Sequence, residues 1–134
     1  MTVDAIMSCE VVTVAPDESL MTIRRLLNER GFHHLLVVDD EQLQGVISDR
    51  DVLRTVSPFL DTLSESHRDV RTLSRTADEI MHPPSVTARP DMPVEEAATM
   101  LLENKISCLP VLGDDGQLEG ILTSKDVLRC FIEH

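Results

Sequence analysis

The chain has 134 residues, 42% of them apolar, and a mean hydropathy near zero, which fits a folded domain and excludes extensive disorder. Twelve basic against 24 acidic residues leave a net charge of −12, so there is no basic footprint for nucleic acid. Phe32, Phe59 and Phe131 are the whole aromatic content, too few to stack single-stranded bases.

The N-terminal stretch MTVDAIMSCEVV carries Asp4 and no basic run, so it is not expected to be a signal peptide. Val11–Val14 reads as a short strand that ends at Pro16. Leu20, Ile23, Leu26 and Leu27 then recur at helical spacing up to Arg30, where Gly31 reads as a C-terminal stop. Leu35–Val38 is an all-apolar strand of a buried sheet, far short of the roughly 20 residues of a membrane span. A turn starts at Asp39-Asp40, Gly45–Ser48 is the next strand, and a helix follows from about Arg50. Residues 56–75 form a connector: Ser57-Pro58 breaks the preceding helix, and Leu63, Val70 and Leu73 fall at 3.6-like spacing, which predicts a short helix. Beyond it, Pro93 suits a first helical position, with Glu95 and Glu96 in the first turn. Cys108–Leu112 and Leu118–Thr123 are strands around a GDDG turn, and Val127–Ile132 lies in the closing helix.

The order strand, helix, strand, strand, helix therefore occurs twice, and the residues repeat with it. At an offset of 74, Asp4, Ile6 and Met7 match Asp78, Ile80 and Met81. Val12, Thr13, Pro16 and Asp17 match Val86, Thr87, Pro90 and Asp91, and Leu27, Glu29, Leu35 and Val37 match Leu101, Glu103, Leu109 and Val111. After one extra residue near Gly116, Gln42, Leu43 and Gly45 match Gln117, Leu118 and Gly120, and Asp51–Arg54 matches Asp126–Arg129. Chance pairing would give only about two or three identities, so the chain is an internal duplication. The expected organisation is an α/β fold with residues 1–55 as the first repeat, 56–75 as an ordered connector and 76–134 as the second. A unit of about 55 residues is marginal alone, so the copies are expected to pack sheet against sheet with pseudo-twofold symmetry.

Each copy ends a strand on a hydroxyl and places an aspartate three residues later: Ser48 and Asp51, Thr123 and Asp126. A hydroxyl and free amides at a helix start form a phosphate site, and a carboxylate can accept both hydroxyls of a ribose. Arg50, Arg54, Lys125 and Arg129 add local positive charge. The simpler role for the aspartates is to cap their helices. Cys9, Cys108 and Cys130 are odd in number with no CxxC pair, which reads as reduced thiols in a cytoplasmic protein. A strand separates His33 and His34 from Asp39 and Asp40, so no metal site is expected there. No Gly-x-Ser-x-Gly elbow surrounds Ser48, and the histidine is not duplicated, so an enzyme is not expected.

The ordered motifs DAIMS (4–8), VVTVAPDESL (11–20), HHLLVVDD (33–40) and GVISDRDVLR (45–54), repeated as DEIMH (78–82), SVTARPDMPV (85–94), SCLPVLGDD (107–115) and GILTSKDVLR (120–129), resemble a tandem cystathionine-β-synthase (CBS) domain pair, or Bateman module. The resemblance covers nearly the whole chain. It implies a regulatory module that senses AMP, ADP, ATP or S-adenosylmethionine in the cleft between the repeats, needs no cofactor, and forms a disc-like homodimer. It implies one site with His33, Ser48, Arg50 and Asp51, where Met81, Val86 and Ile106 sandwich a base. A second site has Ser107, Thr123, Lys125 and Asp126, with Met7, Val12 and Phe32. His33 is expected to favour a charged ligand at the first site. No catalytic, transport or DNA-binding domain fits beside the two repeats, so the regulated target is expected to be another protein, unidentified. The alternative is a structural interaction module whose pockets hold no ligand.

Overall fold

In the computed structural model, which describes residues 1–31, 33–56, 62–63, 65–84 and 86–133, the elements follow the expected repeat. The first copy runs β1 (Thr13–Val14), α1 (Leu20–Arg30), β2 (His34–Asp39), β3 (Gln42–Ser48) and α2 (Asp49–Thr55). The connector contributes α3 (His67–Arg71) and a 3-10 turn, Thr72–Ser74. After α4 (Ala77–Ile80) come α5 (Val94–Asn104), β4 (Cys108–Leu112), β5 (Leu118–Thr123) and α6 (Ser124–Glu133).

Local chemistry explains the boundaries. Ser19 caps α1 by accepting the Thr22 N–H at 3.3 Å, and Gly31 ends it at φ 66°, a conformation that favours glycine. At the matched position Lys105 ends α5 at φ 55°. Pro93 lies one residue before its expected place, at the N-cap of α5. Asp40 and Glu41 join β2 to β3 with φ of 50° and 67°, the two positive values of a type I′ turn. Gly116, at φ 82°, serves the longer turn between β4 and β5.

Two expected elements differ. The second copy's first strand is a single parallel pairing of Ala88 with Val111, whereas β1 pairs Thr13 with Leu36 and Val14 with Val37. Pro110 stands where the first copy has Leu36. It has no N–H to donate, so the pairing cannot extend toward Val86. In the connector, the apolar spacing does not make a buried stripe: Leu63 and Val70 are exposed, and only Leu73 packs on the core. α3 is instead held by a capping box, in which the Asp69 carboxylate accepts the Ser66 N–H at 2.8 Å. Ser57 and Pro58 lie outside the described residues; α2 ends before them.

The chain divides into two compact units. One comprises residues 12–40 and 44–83, the other residues 1–11, 41–43 and 84–134. Each copy's leader segment thus belongs to the unit of the opposite copy. The two cores match position for position. In the first unit Val14, Leu27, Leu35, Val37, Ile47, Val52 and Ala77 are buried together. In the second, the matched Ala88, Leu101, Leu109, Val111, Leu122, Val127 and Val3 are. The α1 stripe of Leu20, Ile23 and Leu27 is buried as its periodicity demands, and Leu35, Leu36 and Val37 of β2 are buried on both faces. Among the described residues no helix is long and apolar enough to cross a membrane.

Candidate functional site

β3 delivers Ser48 to the start of α2, and a serine followed three residues later by an acid forms a capping box. The Ser48 hydroxyl accepts the Asp51 N–H at 3.2 Å and donates to Asp51 Oδ2 at 2.9 Å, while the Ser48 N–H donates to the same oxygen at 2.7 Å. The Asp51 side chain is only 6% exposed. A further group reaches it: His82 Nε2 lies 2.6 Å from Asp51 Oδ2. His82 is held there by its own backbone, which exchanges hydrogen bonds of 2.9 and 3.0 Å with Val46 of β3. The sequence reading missed His82. Its one signal was that it replaces Ser8 of the matched leader, directly after Met81.

The second copy repeats the cap. The Thr123 N–H donates to Asp126 Oδ2 at 2.9 Å, and Thr123 Oγ1 accepts the Asp126 N–H at 3.2 Å. The leader again pairs with the outer strand, through Ser8 and Ile121 at 2.9 and 3.0 Å. Here Ser8 is exposed, and Asp126 has Arg129 beside it at 3.9 Å instead of a histidine. Both aspartates therefore cap their helices, the simpler of the two roles their spacing allows.

Glycine makes the leader pairing possible. A Cβ on Gly45 would sit 2.6 Å from Met81 Sδ, and one on Gly120 would sit 2.7 Å from the Ser8 carbonyl oxygen and 2.9 Å from Met7 Sδ. Met81 packs against the first unit's core and Met7 against the second's, each beside the strand that ends in the capping hydroxyl.

His33 is exposed, with Nδ1 3.1 Å from Asp49 Oδ2, and this hydrogen bond lowers the Asp49 carboxyl below its ordinary value. Burial lowers the pKa of the neighbouring His34. Arg50, Lys125 and Ser107 are exposed. The first unit thus holds His33, Ser48, Arg50, Asp51 and Met81, and the second holds Met7, Ser107, Thr123, Lys125 and Asp126. Val86 and Ile106 pack on the second unit's core, Val12 on the first unit's, and Phe32 lies outside the described residues. Among the described residues no three His, Cys, Asp or Glu side chains are grouped to hold a metal ion.

The CBS domain model matches residues 3–58 and 77–133. A CBS domain-containing protein of Dictyostelium discoideum is 36% identical over 98% of this chain and 91% of its own length. The chain is 32% identical to a homoserine O-acetyltransferase of Methanosalsum zhilinae, but spans only 24% of it. The structure of CBSX2 in complex with AMP is similar at a TM-score of 0.83 and 32% identity, covering 98% of this chain and 96% of that one. A CBS domain pair in complex with 5′-methylthioadenosine and S-adenosyl-L-methionine is similar at 0.80 and 28%, covering 99% and 97%. With both copies matched in order, and the hydroxyl-x-x-Asp cap built twice, the chain belongs to the CBS-domain family as a tandem pair of CBS repeats.

Proposed function

We propose that this chain is a regulatory module that binds an adenosyl ligand (AMP, ADP, ATP or S-adenosylmethionine) and has no catalysis of its own. The observation that carries the reading is the duplicated cap. Asp51 and Asp126 are held in place by backbone amides, each beside a strand packed against a methionine, Met81 or Met7. A carboxylate fixed through one oxygen is pre-organised to accept ribose hydroxyls with the other, and the methionine offers a polarizable surface for the base. In this reading Ser48 and Arg50, or Thr123 and Lys125, face the rest of the ligand, with His33 or Ser107 beside them. The two solved CBS pairs described above carry adenosyl ligands, which supports the same class here.

The test is a thermal-shift panel of AMP, ADP, ATP, NAD and S-adenosylmethionine. Ligand at 100 times its dissociation constant stabilises the folded chain by roughly 2.7 kcal/mol, a melting shift of around 5–10 °C for a chain of this size. The Asp51→Ala/Asp126→Ala double variant folds and shows no shift. A double variant that still shifts with ribonucleotide assigns the aspartates to capping alone, and no shift in any arm favours the interaction module.

The same reading includes a homodimer in the cytoplasm, acting on a further protein. The support for self-association is apolar surface on the last helices: Leu128, Phe131 and Ile132 of α6 are 61%, 67% and 84% exposed, and Leu102 of α5 is 80% exposed. Light scattering at tens of micromolar is expected to give twice the chain mass. A clean monomer overturns it.

A further inference from the structure

The two copies are not electrically equal beside their caps. The first residue of α2 is Asp49, and the matched first residue of α6 is Ser124. Their backbones are set in the same way: the Asp49 N–H donates to the His33 carbonyl at 3.0 Å, and the Ser124 N–H to the Ser107 carbonyl at 2.9 Å. The difference is therefore confined to side chains, and it is paired. In the first copy His33 Nδ1 meets Asp49 Oδ2 at 3.1 Å; in the second, the Ser124 hydroxyl lies 3.4 Å from the Ser107 carbonyl. An ionisable pair in one copy stands where the other has two hydroxyl residues.

We infer that Asp49 makes the first copy's site select against phosphate, so that it takes an adenosyl ligand whose 5′ substituent is neutral or cationic, a thioether or a sulfonium, while the second copy's site admits a phosphorylated one. The inference rests on the adenosyl-binding reading above and assigns a ligand class to each site. Asp49 lies between Ser48 and Arg50, the two residues that in the adenosyl-binding reading face the ligand beyond its ribose. A phosphate there is within a Debye length of about 8 Å of the carboxylate, where screening is incomplete. Arg50 must then offset both Asp49 and the ligand's own charge. Lys125 faces no such competitor, because Ser124 is uncharged. On this inference His33, 3.1 Å from Asp49 Oδ2, serves that carboxylate and does not recruit a charged ligand to the first site. A sulfonium, by contrast, is attracted by the Asp49 carboxylate.

The probes are AMP and 5′-methylthioadenosine, which share the adenosine and differ at the 5′ position. Calorimetry uses the full chain with one site silenced. In the Asp126→Ala background the first site is expected to bind 5′-methylthioadenosine at least tenfold tighter than AMP. Asp49→Asn, which removes the charge and keeps an oxygen for His33, raises the ratio of AMP to 5′-methylthioadenosine affinity by about tenfold, or roughly 1.4 kcal/mol. In the Asp51→Ala background, Ser124→Asp lowers the same ratio at the second site by a similar factor. Melting curves establish that each variant is folded. Equal affinities at the first site that Asp49→Asn leaves unchanged overturn this inference alone. Failure of both probes to bind any folded variant overturns the adenosyl-binding reading, and this inference with it.

Discussion

Replacing Gly120 with alanine tests whether the leader segment is clamped to the outer strand by backbone. The new Cβ would lie 2.7 Å from the Ser8 carbonyl oxygen, closer than any real contact, and that oxygen accepts the Ile121 N–H at 3.0 Å. Backbone on both sides leaves no flexible group to move aside. Overpacking of this kind costs typically 1–3 kcal/mol, offset by about 0.4–1 kcal/mol from the stiffer unfolded chain, so a net loss of about 1–2 kcal/mol is expected. The matched Gly45→Ala meets a softer neighbour. Its nearest atom is Met81 Sδ at 2.6 Å, the far end of a flexible side chain, and the His82 carbonyl is at 3.0 Å. Its loss is expected near 1 kcal/mol. Melting temperatures fall by roughly 2–4 °C per kcal/mol at this size, and urea midpoints move without a change of slope. Double variants sharpen the test. Met81→Ala removes most of the cost of Gly45→Ala, whereas Met7→Ala leaves most of the cost of Gly120→Ala in place, because the Ser8 carbonyl remains. A Gly120→Ala protein as stable as the parent, or one rescued by Met7→Ala, refutes the backbone clamp.

Other outcomes follow from the same geometry. Asp51→Ala strands the Ser48 amide and hydroxyl and His82 Nε2, so it is expected to cost about 2–3 kcal/mol, against about 1 kcal/mol for Asp126→Ala, which loses chiefly a cap. Denaturant unfolding that shows equal losses removes His82 from the account. Burial holds His34 below its ordinary 6.5, so the unfolded chain binds more protons just under that pH; stability is full above 6.5 and falls as pH drops through the lowered value. His34→Gln flattens that slope in unfolding curves, and an unchanged slope refutes the assignment. Gly31→Ala is expected to cost about 1 kcal/mol and Lys105→Gly to stabilise by a similar amount, since both positions end a helix at positive φ. A thiol reagent at neutral pH is expected to label exposed Cys9 readily and to spare Cys108, whose burial raises its pKa to about 11. Fast labelling of Cys108 in the folded chain contradicts its place in β4.

The sequence alone determined the duplication, the α/β order of each copy and the two hydroxyl-x-x-Asp clusters. These features are written in short windows: the 3.6-residue spacing of Leu20, Ile23 and Leu27, the stop at Gly31, and the three-residue reach from Ser48 to Asp51. Local periodicity and capping act within a turn or two of chain, so a linear reading finds them. Only the tertiary structure decided which copy each leader joins. Ser8 pairs with Ile121, and His82 with Val46, through backbone groups that every residue carries and no side-chain pattern announces. His82 reaches Asp51 across 31 residues of chain for the same reason: a strand pairing delivers it, and the Asp51 oxygen it meets is defined only once the cap has formed. The connector shows the converse. Leu63 and Val70 keep helical spacing yet face solvent, because periodicity marks a potential face and burial needs a partner surface, which Leu73 alone of the three has found.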